Sequence, residues 1–194
     1  HVVPACKTIR VTFGDGIRRD ATLVARDDLN DLAILDTPVD GAETVRFRDG
    51  KAVRAGEGVV VVGYPLSSVL SREANVTAGV VSALAGRKGD NRFLQITAPV
   101  QKGNSGGPLA DMSGTIIGIV ATKLDAMKIA ERTGDLPQNV NFAIKAEVAR
   151  QFLADHKIPY ATATPGTDLS AADIGEMIKR VTVFVECEGT PTAP

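Results

Sequence analysis

Apolar positions along the chain fall in short, β-branched segments bounded by Gly, Pro, Asp or Asn, the pattern of strands rather than helices. The alternation predicts strands at 7–13, 17–26, 32–35, 58–63, 75–84, 93–98, 115–123 and 140–144, and so a mainly β fold. Gly14-Asp15-Gly16 separates the first two, and an Asp-Gly step favours the positive φ angles of a tight hairpin. Helical spacing comes late: Val148, Phe152 and Leu153 recur within 145–157, and Pro159 stops the pattern. A second helix is predicted from Ser170, where Ser-Ala-Ala-Asp is a capping box, although Gly175 weakens it. Residues 181–187 then place Val181, Val183, Val185 and Cys187 on one face and Thr182, Phe184 and Glu186 on the other, as in a half-buried strand. Residues 188–194 read as a frayed tail.

A charged, Gly-containing stretch at 48–58 marks a boundary between two small β units. The expected organisation is therefore 1–54, 55–144 and a C-terminal 145–194 that packs back on both. The 194 residues, 44% hydrophobic and 23% charged, suffice for a buried core. The longest apolar runs, 59–62 and 116–121, fall far short of the roughly 18 residues of a membrane helix, so no membrane span is expected. Lys and Arg at 22 against Asp and Glu at 23 leave a formal charge of -1, which removes the electrostatic case for a nucleic-acid partner. Cys6 and Cys187 stand far apart and away from any clustered His, so neither a metal nor another cofactor is expected.

The richest chemistry lies in Gly103-Asn104-Ser105-Gly106-Gly107-Pro108-Leu109. A Ser between glycines on a tight turn exposes its hydroxyl while the amides of Gly103 and Ser105 converge, which outlines an oxyanion hole. The same residues would also serve as a plain Gly-rich hairpin loop. A serine nucleophile needs a base and a carboxylate to orient it. Of the two histidines, His1 precedes the acidic candidates and His156 lies near the polar end of a helix, where solvation accounts for it. Asp31 precedes an apolar strand, with Asp27, Asp28 and Asp36 close by. His1, Asp31 and Ser105 follow the order His, Asp, Ser of the chymotrypsin template.

His1-Val2-Val3, Asp31-Leu32-Ala33-Ile34-Leu35, Gly63-Tyr64-Pro65 and the segment around Ser105, in that order, resemble the trypsin-like serine peptidases, nearest the bacterial Htr/Deg branch. The resemblance runs from His1 to about Gln151. It implies an all-β, double β-barrel fold with the site between the barrels and a protein or peptide substrate. It assigns His1 as general base, Asp31 as orienting carboxylate, Ser105 as nucleophile, and the amides of Gly103 and Ser105 as oxyanion hole. It places the pocket for the side chain before the cut along Pro99, Val100, Gln101 and Lys102 and the strand carrying Asn141, Phe142 and Ala143. No carboxylate stands between Gln95 and Lys102, so small or medium aliphatic side chains are expected there and basic ones are not. Asn104 replaces the Asp with which digestive trypsins bind a newly released N-terminus, so no activation of that kind is implied.

The family places strands of its first barrel before the catalytic His, so the first barrel is expected to be incomplete and to take N-terminal strands of the same polypeptide. No targeting segment is visible before His1. If residues 181–187 return to the first unit, Cys187 can bridge to Cys6, and a bridge would imply a periplasmic or secreted location; two buried thiols are the alternative. Gly103 to Gly107 also satisfies the Gly-Xaa-Ser-Xaa-Gly elbow of α/β-hydrolases, with Asp125 or Asp135 and His156 downstream. That elbow requires a helix immediately after the Ser, where Gly106-Gly107-Pro108 is unfavourable. The alternative from another class is a non-catalytic module that keeps the trypsin-like scaffold and binds peptides uncut.

Overall fold

The computed structural model describes residues 1–3, 6–39, 43–65, 73–123 and 139–189, without the side chains of 122 and 123. Asp125, Asp135 and the tail from 190 lie outside the described residues. The fold is mainly β, built as a small open sheet beside a closed barrel, with two α-helices among the described residues.

The small sheet has the order β12-β1-β2-β3. Its strands are β1 (Thr8–Thr12), β2 (Arg18–Asp27), β3 (Leu32–Asp36) and the returning β12 (Phe184–Glu188). Gly16, at φ +83°, turns the chain between β1 and β2, and Asp15 accepts from the Ile17 amide at 2.9 Å. β12 runs antiparallel to β1 and sets Cys187 opposite Ile9. Cys6 and Cys187 form a disulfide. The core here is small, with Val3, Ile9, Val11 and Ala21 packed against Val183 and Val185.

The strand expected over 181–187 starts only at Phe184, because the end of the preceding helix uses the first residues. The amides of Val181 and Thr182 donate to the carbonyls of Ile178 and Lys179, and the Thr182 hydroxyl donates to Ile178 O at 2.8 Å.

The barrel is formed by β5 (Gly58–Gly63), β6 (Asn75–Ala83), β7 (Phe93–Ile96), β8 (Pro108–Asp111), β9 (Ile116–Lys123) and β10 (Asn141–Lys145), closed by pairing of β9 with β10. β5 shows why its sequence is an unbroken apolar run. Val59 and Val61 pack in one core cluster, while Val60 and Val62 pack in another that includes Ile174 and Ile178. A strand covered on both faces has no polar side to present. Helix α1 (Ala146–Asp155) buries Ala149 and Phe152. Helix α2 (Ala171–Lys179) is capped by Ser170, whose hydroxyl oxygen accepts from the Asp173 amide at 3.1 Å. Gly175 is there for close approach, since a Cβ would lie 2.8 Å from a methyl of Val76.

Three short strands had no sequence signal, β8 in the barrel and two others that flank it. β4 (Arg46–Arg48) runs parallel to β9, and β11 (Ala161–Ala163) runs parallel to β4, so both extend the barrel sheet. Arg48 makes β4 viable in a buried place. Its guanidinium donates to Glu57 at 2.7 Å and to Asp111 at 3.2 Å, which turns a charged segment into a paired one.

The disulfide closes a loop with a sequence separation of 181 around a weakly cored sheet. Replacing both cysteines by Ser is expected to cost about 2–5 kcal/mol. Urea unfolding of the parent in oxidised and reduced form, beside the double variant, measures it; coincident curves would show that the bridge contributes nothing.

Candidate active site

The segment around Ser105 is held by backbone contacts rather than by side chains. A turn closed by Asn104 N–H to Gln101 O at 3.0 Å puts Gly103 third, with φ of +103°, the conformation for which a type II turn selects Gly. Beyond Ser105, Gly106 donates to Val120 O at 2.7 Å, Val120 donates to Gly107 O at 2.8 Å, and Gly107 donates to Asn104 O at 2.9 Å. The loop is thereby stitched to β9. A Cβ on Gly107 would fall 2.4 Å from Val62 O, so the loop lies directly against the end of β5. Gly63 serves the same approach from the other side, its missing Cβ facing Asn104 at 3.1 Å.

This bonding leaves a specific residue of donors. Asn104, Gly106 and Gly107 have carbonyl acceptors for their amides, whereas among the described residues the amides of Gly103 and Ser105 have none. Two neighbouring amides free of internal partners are what an oxyanion site requires.

His1 and Asp31 meet. Nδ1 of His1 lies 2.6 Å from one carboxylate oxygen of Asp31, and the α-amino group lies 2.5 Å from the other. An ionised carboxylate only accepts, so Nδ1 is the donor in this contact, and in the neutral ring Nε2 keeps its lone pair. Ser105 lines the same cleft as His1 and Asp31, but its hydroxyl donates to Ala121 O at 2.8 Å. The three residues thus share one crevice, with the His–Asp contact made and the Ser hydroxyl directed to β9.

Asp31 takes φ of +56° at the end of a tight turn. Asp27 organises that turn by accepting from the Leu29 and Asn30 amides, each at 3.0 Å, and from Nδ2 of Asn30. Burial pushes the Asp27 carboxyl up, but the hydrogen bonds from Asn30 and Leu29 and the charge of Arg92 outweigh it, leaving the group below its ordinary value. The next residue, Leu32, is buried in a core cluster shared with β5 and both helices.

A neighbouring cleft of about 550 Å³ is lined by His1, Ser105, Gly103, Lys102 and Tyr64 on one side and by 181–185 on the other. The Tyr64 hydroxyl donates to Thr182 O at 3.2 Å, and its ring lies 5.4 Å from that of Phe184. The C-terminal segment as a cleft wall was not foreseen from the sequence; only its apolar face hinted at packing. Of the residues expected to form the pocket before the cut, Lys102 lines this cleft, and Pro99 and Gln101 are exposed. Val100 and Ala143 belong to the barrel core, Phe142 is buried, and Asn141 donates from its side chain to Ala98 O at 2.9 Å. His156 stays apart, its ring against Phe152.

Comparison with known proteins places this arrangement. A family model described as the trypsin-like peptidase domain matches residues 1–119. The chain belongs to that family. It is 44% identical over 97% of its length to the protein y4bJ of Sinorhizobium fredii, and 36% identical over 82% to the serine protease Do-like HtrA of Bacillus subtilis. These matches cover 30% and 37% of those proteins, so the chain spans about a third of the relatives' length. Among solved structures, the serine endoprotease from Yersinia pestis superposes with a TM-score of 0.67 at 28% identity, covering 80% of this chain and 50% of that one. Among the described residues, no helix is long and apolar enough to cross a membrane, and no group of three or more His, Cys, Asp or Glu could hold a metal ion.

The approach of Gly107 to Val62 is directly testable. Gly107→Ala is expected to force the loop off β5 and cost about 1–3 kcal/mol, as overpacking does. Urea unfolding measures it, and an unchanged midpoint would mean that the loop gives way freely.

Proposed function

We propose that the chain is the catalytic domain of a serine endopeptidase that cleaves proteins or peptides through an acyl-enzyme. The observation that carries this reading is the pairing of two amides without acceptors among the described residues, those of Gly103 and Ser105, with a His1–Asp31 contact in the crevice that also holds Ser105. Ser105 Oγ leaves Ala121 O, passes its proton to Nε2 of His1 and attacks the scissile carbonyl carbon. The carbonyl oxygen, now negative, is met by the two amides. Nε2 then protonates the leaving amine, and a water deprotonated by the same nitrogen releases the acyl group. Asp31 accepts from Nδ1 throughout, which fixes the tautomer and stabilises the imidazolium.

The side chain before the cut lies, in this reading, against Lys102, which lines the cleft, and the exposed Pro99 and Gln101, while Val100, Asn141, Phe142 and Ala143, closed off in the barrel, form the layer beneath. With no carboxylate in 95–102, the pocket takes small or medium aliphatic side chains. The disulfide, and relatives named as probable periplasmic serine endoproteases, support a periplasmic or secreted location.

A fluorophosphonate probe is expected to label the parent chain on Ser105 and to leave Ser105→Ala unlabelled. Asp31→Asn should lower peptide hydrolysis by roughly 10³- to 10⁴-fold with the fold intact. Binding of peptide without labelling or cleavage would instead favour the non-catalytic module. In a panel varied only before the cut, peptides with Val or Ala there should be cleaved at least about 10-fold faster than those with Arg or Lys, the selectivity that hydrophobic pockets reach; fastest cleavage after a basic residue would overturn the aliphatic assignment.

A further inference from the structure

Arg92 stands just before β7 in the barrel sheet, yet its guanidinium reaches the small sheet. Its Nη1 donates to Leu29 O at 2.9 Å and to Oδ1 of Asn30 at 3.0 Å, in the turn that delivers Asp31. The rest of the guanidinium is held by Asp90, through Nε at 3.0 Å and Nη2 at 2.7 Å. The Arg92 backbone is fixed as well, since its carbonyl accepts from the Lys145 amide at 2.9 Å. Asn30 is thereby held from both sides, giving Nδ2 to Asp27 and receiving Arg92 on Oδ1.

We propose that Arg92 is a positioning residue for catalysis: it fastens the Asn30–Asp31 turn to the barrel and so sets the Asp31 carboxylate against Nδ1 of His1. The proposal rests on the assignment of His1, Asp31 and Ser105 as the reacting set. Two features make an external anchor necessary. Asp31 adopts a left-handed backbone conformation, uncommon outside Gly although Asp is among the residues that tolerate it, so its direction depends on how the turn is held. Its carboxylate also belongs to a different sheet from Ser105, so the distance between them depends on how the two sheets are joined. Arg92 bonds across that junction, a few residues' reach from the carboxylate and without touching His1 or Ser105. A planar fork with its far edge locked by a carboxylate keeps a fixed direction, which a lysine ammonium does not. Asp90 is held down to about 2 by the Arg92 hydrogen bonds. With its pKa lowered from 3.8, the partnership is complete above the ordinary carboxylate range and is lost only as pH falls through about 2.

The test compares Arg92→Gln, Arg92→Lys and, as a control in the same exposed loop, Arg87→Gln in the full chain. Arg92→Gln is expected to lower kcat by about 10- to 100-fold, the scale on which small misplacements act, with KM changed less than about twofold. Arg92→Lys should recover little of this, because charge without the fork does not hold the turn, and Arg87→Gln should match the parent. An unchanged kcat in Arg92→Gln, or a loss that appears in KM or simply follows a lowered Tm, would overturn the proposal. A second readout does not need turnover. The low-field NMR resonance of the His1 Nδ1 proton should be present in the parent and broadened or lost in Arg92→Gln. Its persistence in that variant would refute positioning by Arg92. Absent Ser105-dependent hydrolysis in the parent, with the resonance still sensitive to Arg92, would instead count against the peptidase reading alone.

Discussion

The constraint on which the Ser105 loop depends is steric: its backbone lies against the backbone of β5, with nothing but hydrogen between Gly107 and Val62 O. Much of the barrel's composition follows from it. Gly63 is favoured by the same approach, because a Cβ there would crowd Asn104 at 3.1 Å. With the loop pressed there, Gly106 and Gly107 trade hydrogen bonds with Val120 on β9, and the loop becomes part of the wall it sits on. The same arrangement decides which amides of the loop lack an acceptor among the described residues. Had the loop stood off by the width of a methyl group, Gly106 and Gly107 would need other acceptors and the amides of Gly103 and Ser105 would no longer be singled out.

The site is divided between two sheets of unequal strength. Ser105 belongs to a closed barrel with cores on both faces of its strands, whereas His1 and Asp31 belong to an open four-stranded sheet with a modest core. Joining them takes covalent and polar anchors as well as packing. Leu32 inserts into the barrel-side core directly after Asp31, and Arg92 reaches back from the barrel to the turn before it. At the other end, the disulfide holds β12 to the segment that follows His1, and Tyr64 accepts the approach of the same C-terminal segment by donating to Thr182. Each anchor lies within a short stretch of chain from a residue of the crevice.

How much of this could be read in advance depends on the range of the interaction concerned. β5, β9, the hairpin at Gly16 and both helices are announced by local pattern, and the structure has them within a residue or two. β4 was invisible because Arg46-Phe47-Arg48 looks solvated until Glu57 and Asp111 are brought beside Arg48 from elsewhere in the chain. β8 is four residues opening on Pro108 after two glycines, and it becomes a strand only because β5 and β9 flank it. β12 began late because a helix end competes for Val181 and Thr182, a competition the alternation of side chains does not register. The contact between His1 and Asp31 was legible only through the combination of motifs in order, since nothing in their separation alone brings them together.

Arg92 shows where such reading stops. It sits in a polar loop, half exposed, with an acid two positions away, and a solvated local pair is the ordinary meaning of that pattern. As a contribution to stability the pair is unremarkable, and exposure keeps it so. What distinguishes it is direction: Asp90 uses up one edge of the guanidinium and thereby aims the other across the junction between sheets at Leu29 and Asn30. A weak interaction can govern a site when it restricts an angle rather than adding energy, because the Asp31 carboxylate has to be placed and not merely retained.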